Sequence, residues 1–335
     1  MTIPTKRNNT ESRRPALRLV STRQMPREDW LAVRKRGIGG SDAAAAVGLN
    51  PYQSALELWL IKTGRDAGLP QVDAEDDSSP LYWGNILEPI VAAHYTKRTG
   101  RKVRRVNAVL QHPDPDKRWM LANLDYQVVG DGEVQVLECK TAGEYGARLW
   151  RDGVPEYVQC QVQHQLAVTG KAAADVCILI CGQEIQIHRI ERDEALIANL
   201  IGLERRFWDC VVNDTPPPVD GTESSARALQ CLFPQDNGET LDCSTNSQLG
   251  AVFDALVSTR EEIVNLERVE QDLKQTLQQT MGEATKAVFH SGFVTWKRSK
   301  DSTGLDTAAL LQNHPEALER YPLVRPGSRR FLVRT

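Results

Sequence analysis

Two neighbouring stretches, residues 120–129 (MLANLDYQVV) and residues 134–141 (VQVLECKT), decide the fold of this chain. Both are rich in apolar and β-branched residues and alternate in polarity, a pattern that predicts two strands. The segment GDG at residues 130–132 separates them, and a Gly/Asp turn between two such runs is typical of a hairpin. The sequence therefore predicts an antiparallel pair inside a sheet.

The predicted hairpin would bring Asp125, Glu138 and Lys140 together at one end of the sheet. Because strand side chains alternate, Lys140 would lie on the same face as Glu138. Two carboxylates beside apolar strands are costly to bury unless they are paired or bind a metal. Each residue alone has an ordinary alternative, such as a turn aspartate or a surface lysine. Together they indicate a site with chemistry.

The donor types at this site indicate which metal it would bind. A predicted helix over residues 81–99 adds the carboxylate of Glu88, and no His/Cys set lies near the hairpin in the sequence. Oxygen ligands alone favour Mg²⁺ or Mn²⁺ over zinc. Such a site can activate water and stabilise the leaving oxygen of a phosphodiester. Lys140 would orient the water or neutralise developing charge.

Composition excludes several classes of protein. The chain has 335 residues, of which 41% are apolar and 25% charged, and a formal net charge of −3, as in ordinary globular proteins. It contains no apolar run long enough to span a membrane, and residues 1–18 lack the apolar segment of a signal peptide. Seven cysteines without paired CxxC spacing fit a reducing compartment, so we expect a cytoplasmic protein.

The distribution of charge and of turn residues predicts four segments. Residues 1–36 hold ten basic and three acidic side chains, which suits either phosphate contact or a solvated tail. We expect a disordered basic tail over residues 1–24, an α/β domain over 25–215, and a linker over 216–245 beginning at a proline triplet. Residues 246–335 should form a long helix with a small sheet, built from residues 287–296 and 329–334.

The predicted long helix carries a heptad pattern of apolar residues that is interrupted at Thr259 and Glu270. Two interpretations remain open: the helix packs on the small sheet, or it self-associates as a coiled coil. The seam consists of Leu249, Val252, Leu256, Ile263, Leu266, Leu273 and Leu277.

Several motifs across residues 25–215 together resemble the YqaJ-like viral recombinase family. These are the phage lambda-type alkaline exonucleases, a branch of the PD-(D/E)XK nucleases. The resemblance implies a nuclease core with a central mixed sheet flanked by helices. The motifs are WLAVR (30–34), GIGGSDAA (37–44), GLNPY (48–52), LW (58–59), GNILEP (84–89), LD (124–125), LECK (137–140) and QVQHQ (161–165).

The resemblance also implies roles for individual residues. Asp125, Glu138, the main-chain carbonyl of Cys139, and Glu88 match the metal ligands of the family, and Lys140 matches its catalytic lysine. Gln161 and Gln165 match glutamines on a helix beside the active site, of which Gln161 is predicted to act in catalysis. Arg34 and Ser41 match residues that hold the 5′-phosphate of a DNA end.

One position departs from the family pattern. Lambda-type enzymes have a second phosphate-binding arginine about six residues after the lysine, where this chain has Gly146. Arg148 or Arg151 would have to substitute for it. Recognition of a DNA end therefore has weaker support in the sequence than hydrolysis does.

The predicted function is Mg²⁺-dependent hydrolysis of DNA, with processive 5′→3′ resection of double-stranded ends. By resemblance, the resulting 3′ strand would be passed to a single-strand annealing protein encoded by the same phage or prophage, and the enzyme would be a homotrimer. Two alternatives are a structure-selective endonuclease or nickase with the same site, and a non-catalytic DNA-binding scaffold. The complete carboxylate–lysine set argues against the scaffold.

Overall fold

A computed structural model describes residues 15–70, 73, 75–325 and 327–334. The chain divides into two compact units, Met1–Pro234 and Gln235–Thr335. The first 14 residues of the predicted basic tail lie outside the described residues. The strands of the first unit are β1 Leu17–Ser21, β2 Lys102–Arg105, β3 Ala108–Gln111, β4 Leu121–Ala122, β5 Tyr126–Val129, β6 Val136–Ala142, β7 Ala173–Ile180 and β8 Glu184–Glu191.

Eight α-helices accompany these strands in the part of the first unit that the structure describes. Short 3₁₀ turns occur at Asp66–Gly68, Pro115–Lys117 and Arg148–Trp150. The helices are α1 Arg27–Arg34, α2 Gly40–Ala46, α3 Ala55–Lys62, α4 Pro80–Thr99, α5 Glu144–Ala147, α6 Glu156–Thr169, α7 Glu194–Val212 and α8 Glu223–Leu232.

A five-stranded mixed sheet forms the centre of this unit, in the order β2-β5-β6-β7-β8. Strands β6 and β7 are parallel, and the other neighbours are antiparallel. Alternate side chains of β6 enter different cores: Leu137 packs with Val91 and Tyr95 of α4, whereas Val136 packs with Leu166 of α6. Helices thus cover both faces, and the predicted α/β class with a central mixed sheet is confirmed.

The predicted hairpin is also present, but its first strand is shorter than expected. Strands β5 and β6 pair antiparallel, with Tyr126 opposite Leu137. Residues 120–129 do not form one strand, because β4 belongs to a second, three-stranded sheet in the order β1-β3-β4. Side chains of α6 hydrogen-bond to the carbonyl oxygens of Leu121 in β4 and of Asn123 just after it. Asp125 therefore lies in a break immediately before β5.

The prediction of a disordered tail up to residue 24 is wrong for β1. Leu17 to Ser21 pair antiparallel with β3, and Arg18 donates to the main-chain oxygen of Asn107 at 3.0 Å. Pairing with β3 provides backbone hydrogen bonds whatever the charge of the side chains, so a basic composition does not prevent strand formation.

The predicted linker is wrong for α8, which packs against α3. Thr222 caps α8, and Ser224 accepts from the main-chain nitrogen of Ser54 at 2.8 Å and donates to Glu57 at 2.7 Å. Ala228 is completely buried. The proline triplet at residues 216–218 therefore precedes one more helix of the first unit.

The second unit contains α9 Ser247–Met281, a hairpin of β9 Lys286–Phe289 and β10 Gly292–Thr295, and two short helices, α10 Thr307–Asn313 and α11 Glu316–Arg320. The predicted long helix and small sheet are present. Residues 329–334, however, form no strand. Within the described residues, no helix combines the length and hydropathy needed to cross a membrane.

A carboxylate–lysine site on the central sheet

Asp125 and Glu138 meet where β5 and β6 diverge. A side-chain oxygen of Asp125 accepts a hydrogen bond from the main-chain nitrogen of Cys139 at 2.8 Å, which fixes this carboxylate beside β6. Lys140 places its Nζ 2.9 Å from Oε1 of Glu138. The predicted convergence of the three residues is therefore observed.

Two glutamines of α6 hold the buried carboxylate of Glu138. Gln161 donates to Oε1 at 2.5 Å and Gln165 donates to Oε2 at 2.8 Å. The side-chain oxygen of Gln161 also accepts from Lys140 at 2.9 Å. Because one amide contacts both charged groups, Gln161 fixes Lys140 relative to Glu138.

The packing of α2 against α6 depends on Gly40, the second of the paired glycines in the GIGGSDAA motif. A Cβ atom at Gly40 would lie 3.0 Å from Cγ of Gln165 and 3.4 Å from Cγ of Gln161. A larger residue would therefore push on the same glutamines that hold Glu138. The glycine lets α2 approach α6 closely without disturbing this carboxylate.

The pKa values of the site residues reflect burial and crowded negative charge. Burial and the neighbouring Glu138 raise the pKa of Asp125 well above its usual value, against the opposing effect of Lys140. Burial also raises the pKa of Glu88, with a further contribution from Glu138 against the effect of Arg105. Burial lowers the pKa of Lys140, but Glu138 and Asp125 outweigh it, so this pKa lies above its usual value and the amine is protonated.

Glu88 reaches the site from α4, where Oε1 forms an ion pair with Arg105 of β2 at 3.2 Å. This oxygen is buried and makes no hydrogen bond. Across the described residues, no three His, Cys, Asp or Glu side chains converge into a ready-made metal site. The donor set nevertheless fits Mg²⁺ or Mn²⁺, because a buried carboxylate oxygen without a hydrogen bond and two crowded carboxylates are what a hard dication would neutralise.

A second group of residues lies across the cavity from the carboxylates. Nη2 of Arg34 is 2.6 Å from both Oγ of Ser41 and Oδ1 of Asp42. The guanidinium lies over the ring of Trp30, 4.8 Å from its centroid. These contacts hold Arg34 in one orientation and keep it beside the N-terminus of α2.

Asp42 is a candidate positioning residue that sequence reasoning missed, because it contacts Arg34 from below the cavity surface. Its second oxygen accepts from the buried amine of Lys62 at 2.6 Å and from the main-chain nitrogen of Gly39 at 2.9 Å. Burial raises the pKa of Asp42, but Arg34 and Lys62 outweigh it and hold the pKa well below its usual value. The only sequence signal was its position beside Ser41 in the GIGGSDAA motif.

A single cavity of about 370 Å³ joins the two groups. Arg148 and Arg151 instead line a different cavity with His188. Neither arginine lines the cavity that contains the carboxylates. The residues lining the first cavity are Trp30, Arg34, Gly39, Gly40, Ser41, Leu81, Gly84, Asn85, Glu88, Asn123, Asp125, Glu138, Cys139, Lys140, Thr141 and Gln161.

Carboxylates and a lysine on and beside the middle strand of a mixed sheet, in one cavity with a fixed arginine and serine, define a site of the kind that acts on phosphate esters. Residues 29–172 match the YqaJ-like viral recombinase domain family. The protein YqaJ of Bacillus subtilis (strain 168) is 34% identical over 307 residues, which are 90% of this chain and 92% of that protein. This chain belongs to the YqaJ-like viral recombinase family.

Solved structures also align with the chain. The alkaline exonuclease LHK-Exo of Laribacter hongkongensis is 24% identical, with a TM-score of 0.46 over 56% of this chain and 93% of that one. A phage related exonuclease of Haemophilus somnus 129PT is 11% identical, with a TM-score of 0.36 over 53% of this chain and 96% of that one.

Proposed function

We propose that this chain is a Mg²⁺-dependent DNA exonuclease that resects double-stranded ends processively in the 5′→3′ direction. The observation that carries the proposal is the shared cavity in which Asp125, Glu138 and Lys140 face Arg34 and Ser41. A carboxylate–lysine pair serves hydrolysis, and an arginine with a serine serves a phosphate. Their presence in one cavity favours cleavage of a phosphodiester near a chain terminus.

Asp125, Glu138, the carbonyl oxygen of Cys139, and Glu88 would hold the metal, and Mn²⁺ could replace Mg²⁺. The ion would supply Lewis-acid activation of water and neutralise charge on the scissile phosphate. To contact the metal, Glu88 would have to release Arg105. Its raised pKa fits a carboxylate that has too little positive charge around it.

Lys140 and Gln161 would act at the reacting phosphate. The protonated amine of Lys140 can donate to the attacking water or to the charge that develops in the transition state. Gln161 contacts both Lys140 and Glu138, so it would hold the amine and the carboxylate in fixed positions relative to each other during turnover.

Arg34 and Ser41 would bind the terminal 5′-phosphate. A guanidinium can form two parallel hydrogen bonds to a phosphate, and the hydroxyl of Ser41 at the start of α2 adds a further donor. The ion pair with Asp42 keeps the guanidinium in place. A terminal phosphate bound here would determine which phosphodiester bond lies beside the carboxylates.

The family description supports a role in recombination. We propose that the 3′ single strand left by resection is taken up by a single-strand annealing protein, in the cytoplasm of a bacterial host. A homotrimer is the expected assembly of the nuclease unit. The trimer, the annealing partner and the polarity follow from the family resemblance of the motifs.

The decisive experiment compares three DNA substrates in Mg²⁺: linear duplex with a 5′-phosphate, linear duplex with a 5′-hydroxyl, and closed circular duplex. We expect release of nucleotides from the 5′-phosphorylated duplex, slower release from the 5′-hydroxyl form, and an intact circle. No degradation of linear duplex together with no Mg²⁺ binding would disprove an enzymatic function.

A structure-selective endonuclease or nickase is the second candidate. The observation in its favour is that Gly146 occupies the place of the second phosphate-binding arginine, while Arg148 and Arg151 line another cavity. Cutting of the closed circle in the same experiment would select this function over the exonuclease.

A further inference from the structure

The seam of α9 remains exposed within its own unit. Leu249, Val252, Ile263, Leu266 and Leu273 each expose between 47% and 67% of their surface. The C-terminal segment does approach α9, but Val333 lines a cavity with Val257 and Val264, which are not seam residues. A face of this kind along a helix of 35 residues is typical of a helix that packs against another helix.

Charge and polarity along α9 decide which orientation a second copy would take. In a parallel pair, Glu270 would face Glu270 of the second copy, and Glu262 would face Glu267. Both contacts place like charges together. In an antiparallel pair centred between Val264 and Asn265, neither contact forms.

The antiparallel arrangement pairs six of the seven seam residues with one another, and only Leu249, at the end of the seam, faces a polar residue, Thr280. Ile263 faces Leu266 of the second copy, Leu256 faces Leu273, and Val252 faces Leu277. The two interruptions, Thr259 and Glu270, then face each other in one polar layer. Glu270 already has an ion pair with Lys274 of its own helix at 2.7 Å, which neutralises its charge beside that layer.

The flanking positions are complementary in the same register. Arg260 lies opposite Glu267 of the second copy, and symmetry forms this pair twice. Glu262 lies beside Val269 and has no charged partner across the interface. We propose that α9 forms an antiparallel homodimeric coiled coil with a second copy of this chain.

The first test uses the full-length chain and sedimentation equilibrium, which measures the dissociation constant of the step that halves the mass. Ile263→Asp should abolish this step. At protein concentrations below the wild-type dissociation constant, the circular dichroism and the thermal midpoint of the two proteins should agree, because Ile263 is half exposed within its own chain. An unchanged mass would overturn the proposal. An unchanged mass with a lowered thermal midpoint would do so too, and would show that the seam packs within its own chain.

The second test fixes the orientation by exchanging charges. Arg260→Glu and Glu267→Arg should each weaken the dimer about tenfold, and the double variant should recover the wild-type dissociation constant to within about twofold. Glu262→Lys is the matched control. It should change nothing in the antiparallel pair, whereas tighter dimerisation would show a parallel coil and overturn the proposal.

Discussion

At the scale of single residues, Glu138 shows how the fold accommodates a buried charge. Its two oxygens accept hydrogen bonds from Gln161 and Gln165, and Lys140 provides the countercharge. Among the described residues, the carboxylate of Asp125 has only the main-chain nitrogen of Cys139 as a hydrogen-bond donor, and its pKa is raised. The difference favours Asp125 as the carboxylate that gains most from a bound cation.

Replacing Lys140 by alanine should separate catalysis from binding. The variant loses the protonated amine beside the carboxylates, so we expect cleavage of linear duplex to fall by about 10² to 10³. DNA affinity should stay within about twofold, because Arg34 and Ser41 are untouched. Single-turnover cleavage and a fluorescence anisotropy titration measure the two effects. Lys97→Ala on the exposed side of α4 is the control, and wild-type cleavage by Lys140→Ala would contradict the assigned role.

Replacing Asp42 by asparagine should impair recognition of the DNA end. The change leaves Arg34 and the buried Lys62 without their shared countercharge, so the guanidinium loses its fixed orientation. We expect the preference for a 5′-phosphate over a 5′-hydroxyl end to drop about tenfold, with the loss mainly in KM. Asp66→Asn, which removes a partner of Lys35 outside the cavity, serves as control. An unchanged preference would show that Asp42 is only structural.

The carboxylate–lysine cluster could be predicted from sequence, whereas the Asp42 network could not. Asp125, Glu138 and Lys140 lie on one hairpin, so strand alternation and a single turn bring them together. Asp42 of α2 pairs with Lys62 of α3, and Glu88 of α4 pairs with Arg105 of β2. Such pairs depend on how distant elements pack, which local periodicity does not encode.

At the scale of elements, α6 joins the site to the core. Gln163, His164 and Gln165 are all buried on it, and they hold three neighbouring segments. His164 shares a 2.8 Å hydrogen bond with Glu204 of α7 and another of the same length with the carbonyl oxygen of Leu121. The sequence shows this histidine within the QVQHQ motif, but local pattern gives no sign that its partners would link α7 to β4.

The buried pair of His164 and Glu204 should make stability depend on pH. Burial lowers the pKa of His164, but the Glu204 carboxylate and the Leu121 carbonyl outweigh it, with a smaller effect of Asp42, and raise this pKa above 6.5. The contribution is therefore complete below pH 6.5 and is lost as pH rises through the folded value. Each unit of raised pKa corresponds to about 1.4 kcal/mol.

Urea unfolding between pH 6 and pH 9 checks this dependence. The wild-type free energy of unfolding should decline across that range, and His164→Gln should lack the decline that this residue contributes. His94→Gln, at an exposed position of α4, should keep the wild-type slope. Parallel slopes for wild type and His164→Gln would contradict the prediction.

Strand boundaries show where local patterns mislead. Residues 120–129 alternate throughout, yet the chain leaves one sheet after β4 and enters the other at β5. At the break, the carbonyl oxygen of Asn123 accepts from Gln165 of α6, and that of Asp125 accepts from the main-chain nitrogen of Val106. The alternating pattern therefore predicted one strand where the structure has two. The position of the break between β4 and β5 depends on tertiary contacts, which periodicity does not reveal.

At the scale of the whole chain, the boundary between the two units is the least predictable feature. A proline triplet indicated that the first unit ends near residue 215, but α8 continues it to Pro234. Helix α8 contributes little hydrophobicity of its own. Its place is set by Ser224 and Arg227, which contact Ser54 and Glu57 more than 160 residues earlier.

Two truncations should distinguish these boundaries. We expect the chain ending at Pro234 to unfold cooperatively and to cleave linear duplex within about twofold of wild type, because every residue assigned to the site lies in the first unit. It should lose the dimer that α9 forms.

The chain ending at residue 215 lacks α8, which uncovers α3 and leaves Glu57 without Ser224 and Arg227. Its free energy of unfolding should fall by about 3 kcal/mol, or roughly 10 °C in Tm. Differential scanning calorimetry measures both midpoints. Equal midpoints would show that α8 is a peripheral helix, and inactivity of the longer chain would show that the second unit takes part in cleavage.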